Sequence, residues 1–98
     1  MKKGGFVYIL TNKTKTVLYI GVTDNLIRRT FQHKFEKGSL FTSKYNVKNL
    51  VYYECYPTIM EAIAREKVLK GMTRLKKEYL IDTFNPNWTD LYEKVLNE

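Results

Sequence analysis

A chain of 98 residues has room for one core, because folding at this size buries roughly 60 to 68% of the unfolded surface. Hydrophobic residues at 44% and charged residues at 28% exclude a disordered tail, and one cysteine with one histidine excludes a disulfide framework and a structural zinc site. The net charge of +7 is uneven: residues 1–49 carry ten basic and two acidic side chains, residues 50–98 seven and eight, so the N-terminal half offers a basic face to a polyanion.

No apolar run approaches the roughly 18 residues of a membrane span, and no basic amphipathic terminal helix is evident. Nucleic acid is therefore the expected partner, without a membrane, and the lone Cys55 and missing signal-peptide pattern point to the cytoplasm.

"FVYIL" (6–10) and "TVLYI" (16–20) are β-rich runs joined by the polar "TNKTK", which has the composition of a hairpin connection. A loop of two or four residues sets Leu10 opposite Val17, Ile9 opposite Leu18 and Tyr8 opposite Tyr19, placing both tyrosines on one side. Both faces of the two runs are apolar, so helices are expected on both sides of the sheet. "NLVYYECY" (49–56) reads as a third strand.

Asp24 is the expected N-cap of a first helix running to about Glu36, with Gly38 as its stop signal. Ile27, Phe31 and Phe35 recur as an apolar stripe, with Arg29 and His33 one turn apart on roughly the opposite side. "GSLFTSKYNVK" has no clear period and reads as a basic loop. In "PTIMEAIAREKVLKG", Thr58 and Glu61 have capping-box spacing and Gly71 ends the helix. A last helix over 73–84 is expected to bury Leu75, Tyr79 and Leu80, followed by an extended Asn-Pro and a short turn carrying Trp88 and Leu91. The whole of 1–98 is read as one domain without repeats.

Glu66 falls in the middle of the stripe made by Ile59, Ala62, Ile63 and Leu69, so its carboxylate is half-buried and needs a counter-charge. An ion pair with Lys70 or Arg65 supplies one partner; a hard divalent cation such as Mg²⁺ is the other reading.

"FVY" (6–8), "YIG" (19–21), "NLIRRTFQH" (25–33), "EAIAREKVLKG" (61–71) and "NPNWTDL" (85–91) together resemble the GIY-YIG nuclease domain, closest to its small stand-alone bacterial members and similar to the nuclease half of the excision-repair incision subunit. Phe6 stands where the motif name has Gly, with Gly5 adjacent. The resemblance implies an α+β fold, a three-stranded antiparallel sheet flanked by helices, and a divalent-metal-dependent endonuclease acting on DNA, structure-selective in repair or recombination. It implies catalytic roles for Tyr8, Tyr19, Arg29, His33 and Glu66: a tyrosine to activate water, Arg29 at the phosphate, His33 beside them, and Glu66 as the protein ligand of Mg²⁺ or Mn²⁺. Arg28, Lys34, Lys44, Lys70 and Asn85 are the expected nucleic-acid contacts. A protein partner is expected to supply target selection. The other readings are a non-catalytic binding module and a subunit of a larger assembly using Trp88, Leu91 and Tyr92 as an interface.

Overall fold

The computed structural model describes residues 4–98; the first three residues of the expected 1–98 domain lie outside it. Strands β1 (Gly5–Thr11), β2 (Leu18–Thr23) and β3 (Asn49–Tyr56) form one antiparallel sheet in the order β2-β1-β3. The central strand is buried along its whole length, as a strand apolar on both faces must be. Helices α1 (Leu26–Phe35), α2 (Leu40–Lys44), α3 (Ile59–Lys70), α4 (Arg74–Phe84) and α5 (Tyr92–Leu96) complete the expected α+β architecture.

Each face of β1 anchors its own core. Val7 and Ile9 pack with Ile20, Val51, Ala62, Leu69 and Ile81 on the side of α3 and α4. Phe6, Tyr8 and Leu10 pack with Leu26, Val47, Leu50 and Val95 on the side of α1 and α5. Each fully buried aliphatic side chain contributes about 1.5 to 3 kcal/mol relative to exposure, so neither layer is dispensable. A β-bulge between Ile9 and Leu10 admits Val51 as an extra residue opposite β1, letting Leu50 and Tyr53 face the same side although three positions apart.

The hairpin register differs from the expected one by two residues: Tyr8 pairs with Gly21, and Leu10 with Tyr19. The cause is a longer loop, in which Asn12 Oδ1 accepts from the backbone N–H groups of Thr16 and Val17 at 2.8 and 3.1 Å and holds them out of the ladder. A shift of two preserves the faces, so Tyr8 and Tyr19 still share a side, as diagonal neighbours.

The α1 N-cap is Asn25 rather than Asp24; its Oδ1 accepts from Arg28 N at 3.0 Å. The buried stripe of α1 is Leu26, Thr30 and His33, not Ile27, Phe31 and Phe35, and both phenylalanines are exposed. Two of those inward residues are polar, which hid the stripe from hydrophobic periodicity. Each is satisfied locally, Thr30 Oγ1 by donating to Leu26 O at 2.7 Å and His33 as described below.

Within the expected basic loop the chain forms α2, capped by Ser39, whose Oγ accepts from Thr42 N at 3.1 Å. Of the expected α3 capping box the N-cap half forms, with Thr58 Oγ1 accepting from Glu61 N at 3.2 Å and donating to Glu61 Oε1 at 2.9 Å. In α4 the expected buried pair is overturned: Leu75 and Tyr79 face solvent, and Ile81 is the residue that reaches the core, with Leu80 beside it. The helix after Asn-Pro starts at Tyr92 and buries Tyr92 and Val95, while Leu91 and Trp88 pack against the two cores from their edges. Of the three residues named for an interface, Tyr92 is buried, and Trp88 and Leu91 are partly buried against the cores.

Glu54 on β3 accepts a fork from Arg65 on α3, at 2.9 Å from Nε and 3.2 Å from Nη2, plus the hydroxyls of Tyr52 and Tyr56. Burial works against this carboxylate, but the donated hydrogen bonds outweigh it and hold its pKa below the ordinary value. The fork fixes α3 in rotation on the sheet and thereby sets where Glu66, the next residue, points.

Candidate active site at the edge of the sheet

Tyr8 belongs to the central strand, yet its hydroxyl reaches the edge strand, because the residue opposite it is Gly21. A Cβ at Gly21 would stand 2.4 Å from both Cζ and Oη of Tyr8, so the phenol lies across β2 only where β2 has no side chain. The turn after Gly21 is then short enough to bring α1 alongside. Tyr8 Oη lies 3.0 Å from His33 Nε2, and His33 Nδ1 lies 3.1 Å from Thr42 Oγ1.

His33 is 2% exposed. Burial, then the nearby Arg29 charge, lowers its pKa from 6.5 to about 4, so the imidazole is neutral at ordinary pH. A neutral ring donates from one nitrogen and accepts at the other. Thr42 Oγ1 also lies 2.9 Å from Ser39 Oγ and 3.4 Å from the Ser39 carbonyl, so either ring tautomer finds partners; the tautomer with Nδ1–H facing Thr42 is the one that leaves Nε2 as acceptor for the Tyr8 hydroxyl. Gly38 closes over the ring: a Cβ there would come within 2.2 Å of Nδ1.

The same loop holds the arginine. Arg29 Nη1 donates to Gln32 Oε1 and Nη2 to Gly38 O, both at 2.8 Å, so the guanidinium is fixed with further N–H groups left for an anion. Tyr19 completes the cluster, its ring centroid 6.4 Å from Tyr8 and 5.5 Å from His33. Burial, followed by the neighbouring Tyr19, pushes the Tyr8 pKa up against the opposing effect of Arg29. Burial thus favours the protonated phenol at Tyr8, and His33 Nε2 lies within hydrogen-bond reach of it.

Glu66 approaches from the other layer. It lies on α3 between Ala62 and Leu69, which pack on the face opposite Tyr8, and its negative charge is felt at Tyr8. Its side chain is 15% exposed and pairs with Lys70 Nζ at 3.3 Å, whereas Arg65 is committed to Glu54. Among the described residues no three His, Cys, Asp or Glu side chains gather around a common point. This donor set fits a hard ion that keeps most of its water, such as Mg²⁺ or Mn²⁺, and does not fit a fully protein-ligated metal.

The expected nucleic-acid contacts separate into two groups. Arg28, Lys44 and Lys70 project to solvent, Arg28 beside Asp24 at 3.5 Å and Lys44 over the Tyr45 ring at 5.4 Å. Lys34 and Asn85 are built into the fold instead. Lys34 pairs with Asp90 in a half-buried contact. Asn85 Nδ2 donates to Val51 O and Thr89 O at 3.1 and 2.8 Å, while its Oδ1 accepts from Thr89 N and Oγ1. Sequence reasoning missed Gln32, Gly38, Thr42 and Phe41, which hold Arg29, His33 and Tyr19; the Ser39 cap and the Phe41–Tyr45 spacing were the available signals.

The sequence model of the GIY-YIG catalytic domain matches residues 4–87. The chain belongs to the GIY-YIG family. Among the relatives of this GIY-YIG protein, a UPF0213 protein of Clostridium perfringens is 36% identical over 92 residues, 94% of this chain and 97% of the relative. The UPF0213 protein YazA of Bacillus subtilis is 31% identical over 95% of this chain and 93% of its own length. A UPF0213 protein of Haloquadratum walsbyi is 34% identical over 79% of this chain and 85% of its own. No solved structure matches the chain. In this GIY-YIG domain the second tripeptide is intact as Tyr19-Ile20-Gly21, and the first reads Phe6-Val7-Tyr8. Among the described residues no helix is long and apolar enough to cross a membrane.

Proposed function

We propose that this chain is a divalent-metal-dependent endonuclease hydrolysing phosphodiester bonds in DNA, within the cytoplasm and in the setting of repair or recombination. The observation that carries the reading is the 3.0 Å contact of Tyr8 Oη with a buried, neutral His33, inside a cluster that also holds Tyr19 and Arg29. A buried tyrosine hydroxyl needs an acceptor in any protein; what packing alone leaves unexplained is the arginine fixed beside the pair by Gln32 and Gly38.

In the proposed reaction a water attacks the phosphorus as its proton passes to Tyr8 Oη and the Tyr8 proton passes to His33 Nε2. No free phenolate is required, which suits a tyrosine whose pKa is raised. His33 is a weak base in the free protein partly because of Arg29; a bound phosphodiester offsets that charge and raises the basicity of Nε2 when it is needed. Arg29, held by Gln32 and Gly38, meets the charge that grows on the phosphate oxygens. Glu66 would hold the ion, and a bound Mg²⁺ or Mn²⁺ supplies Lewis-acid polarisation of the phosphate and stabilisation of the leaving alkoxide.

The test is cleavage of duplex, single-stranded, flap and four-way-junction DNA with Mg²⁺ or Mn²⁺, comparing the wild type with Glu66→Ala. Metal-dependent nicking that falls at least about 100-fold in the variant is expected. Full cleavage by Glu66→Ala, or salt-sensitive binding without cleavage of any substrate, overturns the assignment.

A further inference from the structure

The Tyr19 ring continues outward into a second feature that the cleavage reading does not use. Phe41 on α2 stacks on Tyr19 at 5.8 Å with an interplanar angle of 29°. Tyr45 lies 4.9 Å beyond Phe41, and Lys44 sits over the Tyr45 ring. Phe41 and Tyr45 are 44% and 43% exposed. Between this ladder and α3 and α4 runs a cleft of about 220 Å³ lined by Leu18, Tyr19, Ile20, Phe41, Lys70 and Lys77.

Three observations bear on what covers these rings. The helix that presents them is tied to the cluster through Thr42, which bonds His33, and through Gly38, whose carbonyl holds Arg29. The rings therefore stand at a fixed offset from the groups assigned to the phosphate. Lysines 44, 70 and 77 flank them, Lys70 in its pair with Glu66, and that surplus of cations favours an anion. Partly exposed aromatic rings interleaved with lysines are what a nucleotide strand requires: stacking for its bases and cations for its backbone.

We propose that Phe41 and Tyr45 form a base-stacking platform for an unpaired nucleotide next to the scissile phosphate. A base within a duplex has both faces covered by its neighbours and cannot stack on these rings. The substrate then has either a single-stranded segment or a base turned out of its helix at the cleavage point. This inference rests on the nuclease reading for the phrase "scissile phosphate" alone; the platform itself is tested without metal or cleavage.

The experiment is fluorescence anisotropy in EDTA with four labelled DNA probes of about twelve nucleotides per strand: a single strand, the same strand made abasic at its central positions, a blunt duplex, and a duplex with one unpaired base. Tyr45→Ala is compared with wild type, with Tyr45→Phe as the conservative variant and thermal melts to confirm folding. The wild type is expected to hold the intact strand about tenfold or more tighter than the abasic one. Tyr45→Ala should lose that difference and Tyr45→Phe should keep it. A duplex carrying one unpaired base separates the two sources: binding like the strand indicates a turned-out base, binding like the blunt duplex a single-stranded segment, and either agrees with the platform. Equal affinity for intact and abasic strands, or an undiminished difference in folded Tyr45→Ala, overturns it. If Glu66→Ala cleaves normally while the base-dependent difference persists, the nuclease assignment fails and the platform stands.

Discussion

Lowering the pH from about 7.5 to about 5 should remove roughly 2 kcal/mol of stability through His33 alone, taking a folded pKa of about 4 against an ordinary 6.5. Between those two values the unfolded chain carries the proton and the folded chain refuses it, so the unfolded state binds more protons. Stability is therefore complete above the ordinary value and falls as the pH drops towards the folded one, by about 3 kcal/mol in full at about 1.4 kcal/mol per pH unit. The groups facing the ring are Tyr8 from β1, Tyr19 from β2, Arg29 from α1 and Thr42 from α2, and none of them is an acid that would rescue an imidazolium. The assay is urea unfolding at a series of pH values for wild type and for His33→Gln, whose amide can still accept from Tyr8 and donate to Thr42 but cannot titrate. Glu54 and the other carboxylates contribute equally to both chains and cancel in the comparison. The wild type should lose the extra 2 kcal/mol or so relative to the variant's trend at the acidic end, seen as a lower urea midpoint at unchanged slope. Parallel stability curves for the two proteins would show that His33 is not held neutral by its surroundings and would refute the reasoning.

Gly21→Ala places a methyl group 2.4 Å from the tip of Tyr8, so the phenol must swing away from His33. Cleavage should fall at least about tenfold, with a stability loss of about 1 to 3 kcal/mol, when rates are read below the melting point measured by circular dichroism. Asn85→Ala should act on the fold alone: it strands the buried Val51 carbonyl and the Thr89 turn, for a loss of about 2 to 3 kcal/mol by urea unfolding, with nucleic-acid affinity unchanged at a temperature where the variant is folded. An affinity loss without a stability loss would return Asn85 to the interface.

The strands were legible because β-branched and aromatic runs bounded by polar turns leave little choice, and the half-burial of Glu66 followed from helical spacing. Four things were hidden, for different reasons. The register depended on a side chain, Asn12, folding back on its own loop, and no periodicity reports that. The inward face of α1 was hidden because Thr30 and His33 belong to it. A rule that sorts residues by hydrophobicity assigns a histidine to solvent, and only the Tyr8 hydroxyl and Thr42 on other elements make its burial tolerable. The platform residues were hidden by the brevity of α2, since five residues give too short a window for a period. The lysines likewise cannot be sorted by charge: Lys34 and Lys44 look alike in sequence, and only the distant Asp90 takes one of them out of solution.

Asp90 also shows that the folding unit is longer than the matched family segment. Its Oδ1 accepts from Leu50 N at 3.1 Å, and Leu91 N donates to Leu50 O at 2.7 Å, so the chain beyond residue 87 is stitched onto β3. From that seam α5 lays Val95 over the Tyr8 side of the core and Tyr92 against Phe35 of α1. A boundary drawn at the end of the recognised segment would unroof the layer in which Tyr8, Tyr19 and His33 sit. Where this domain is fused to another, the junction has to fall after α5 for Tyr8 and His33 to keep their positions.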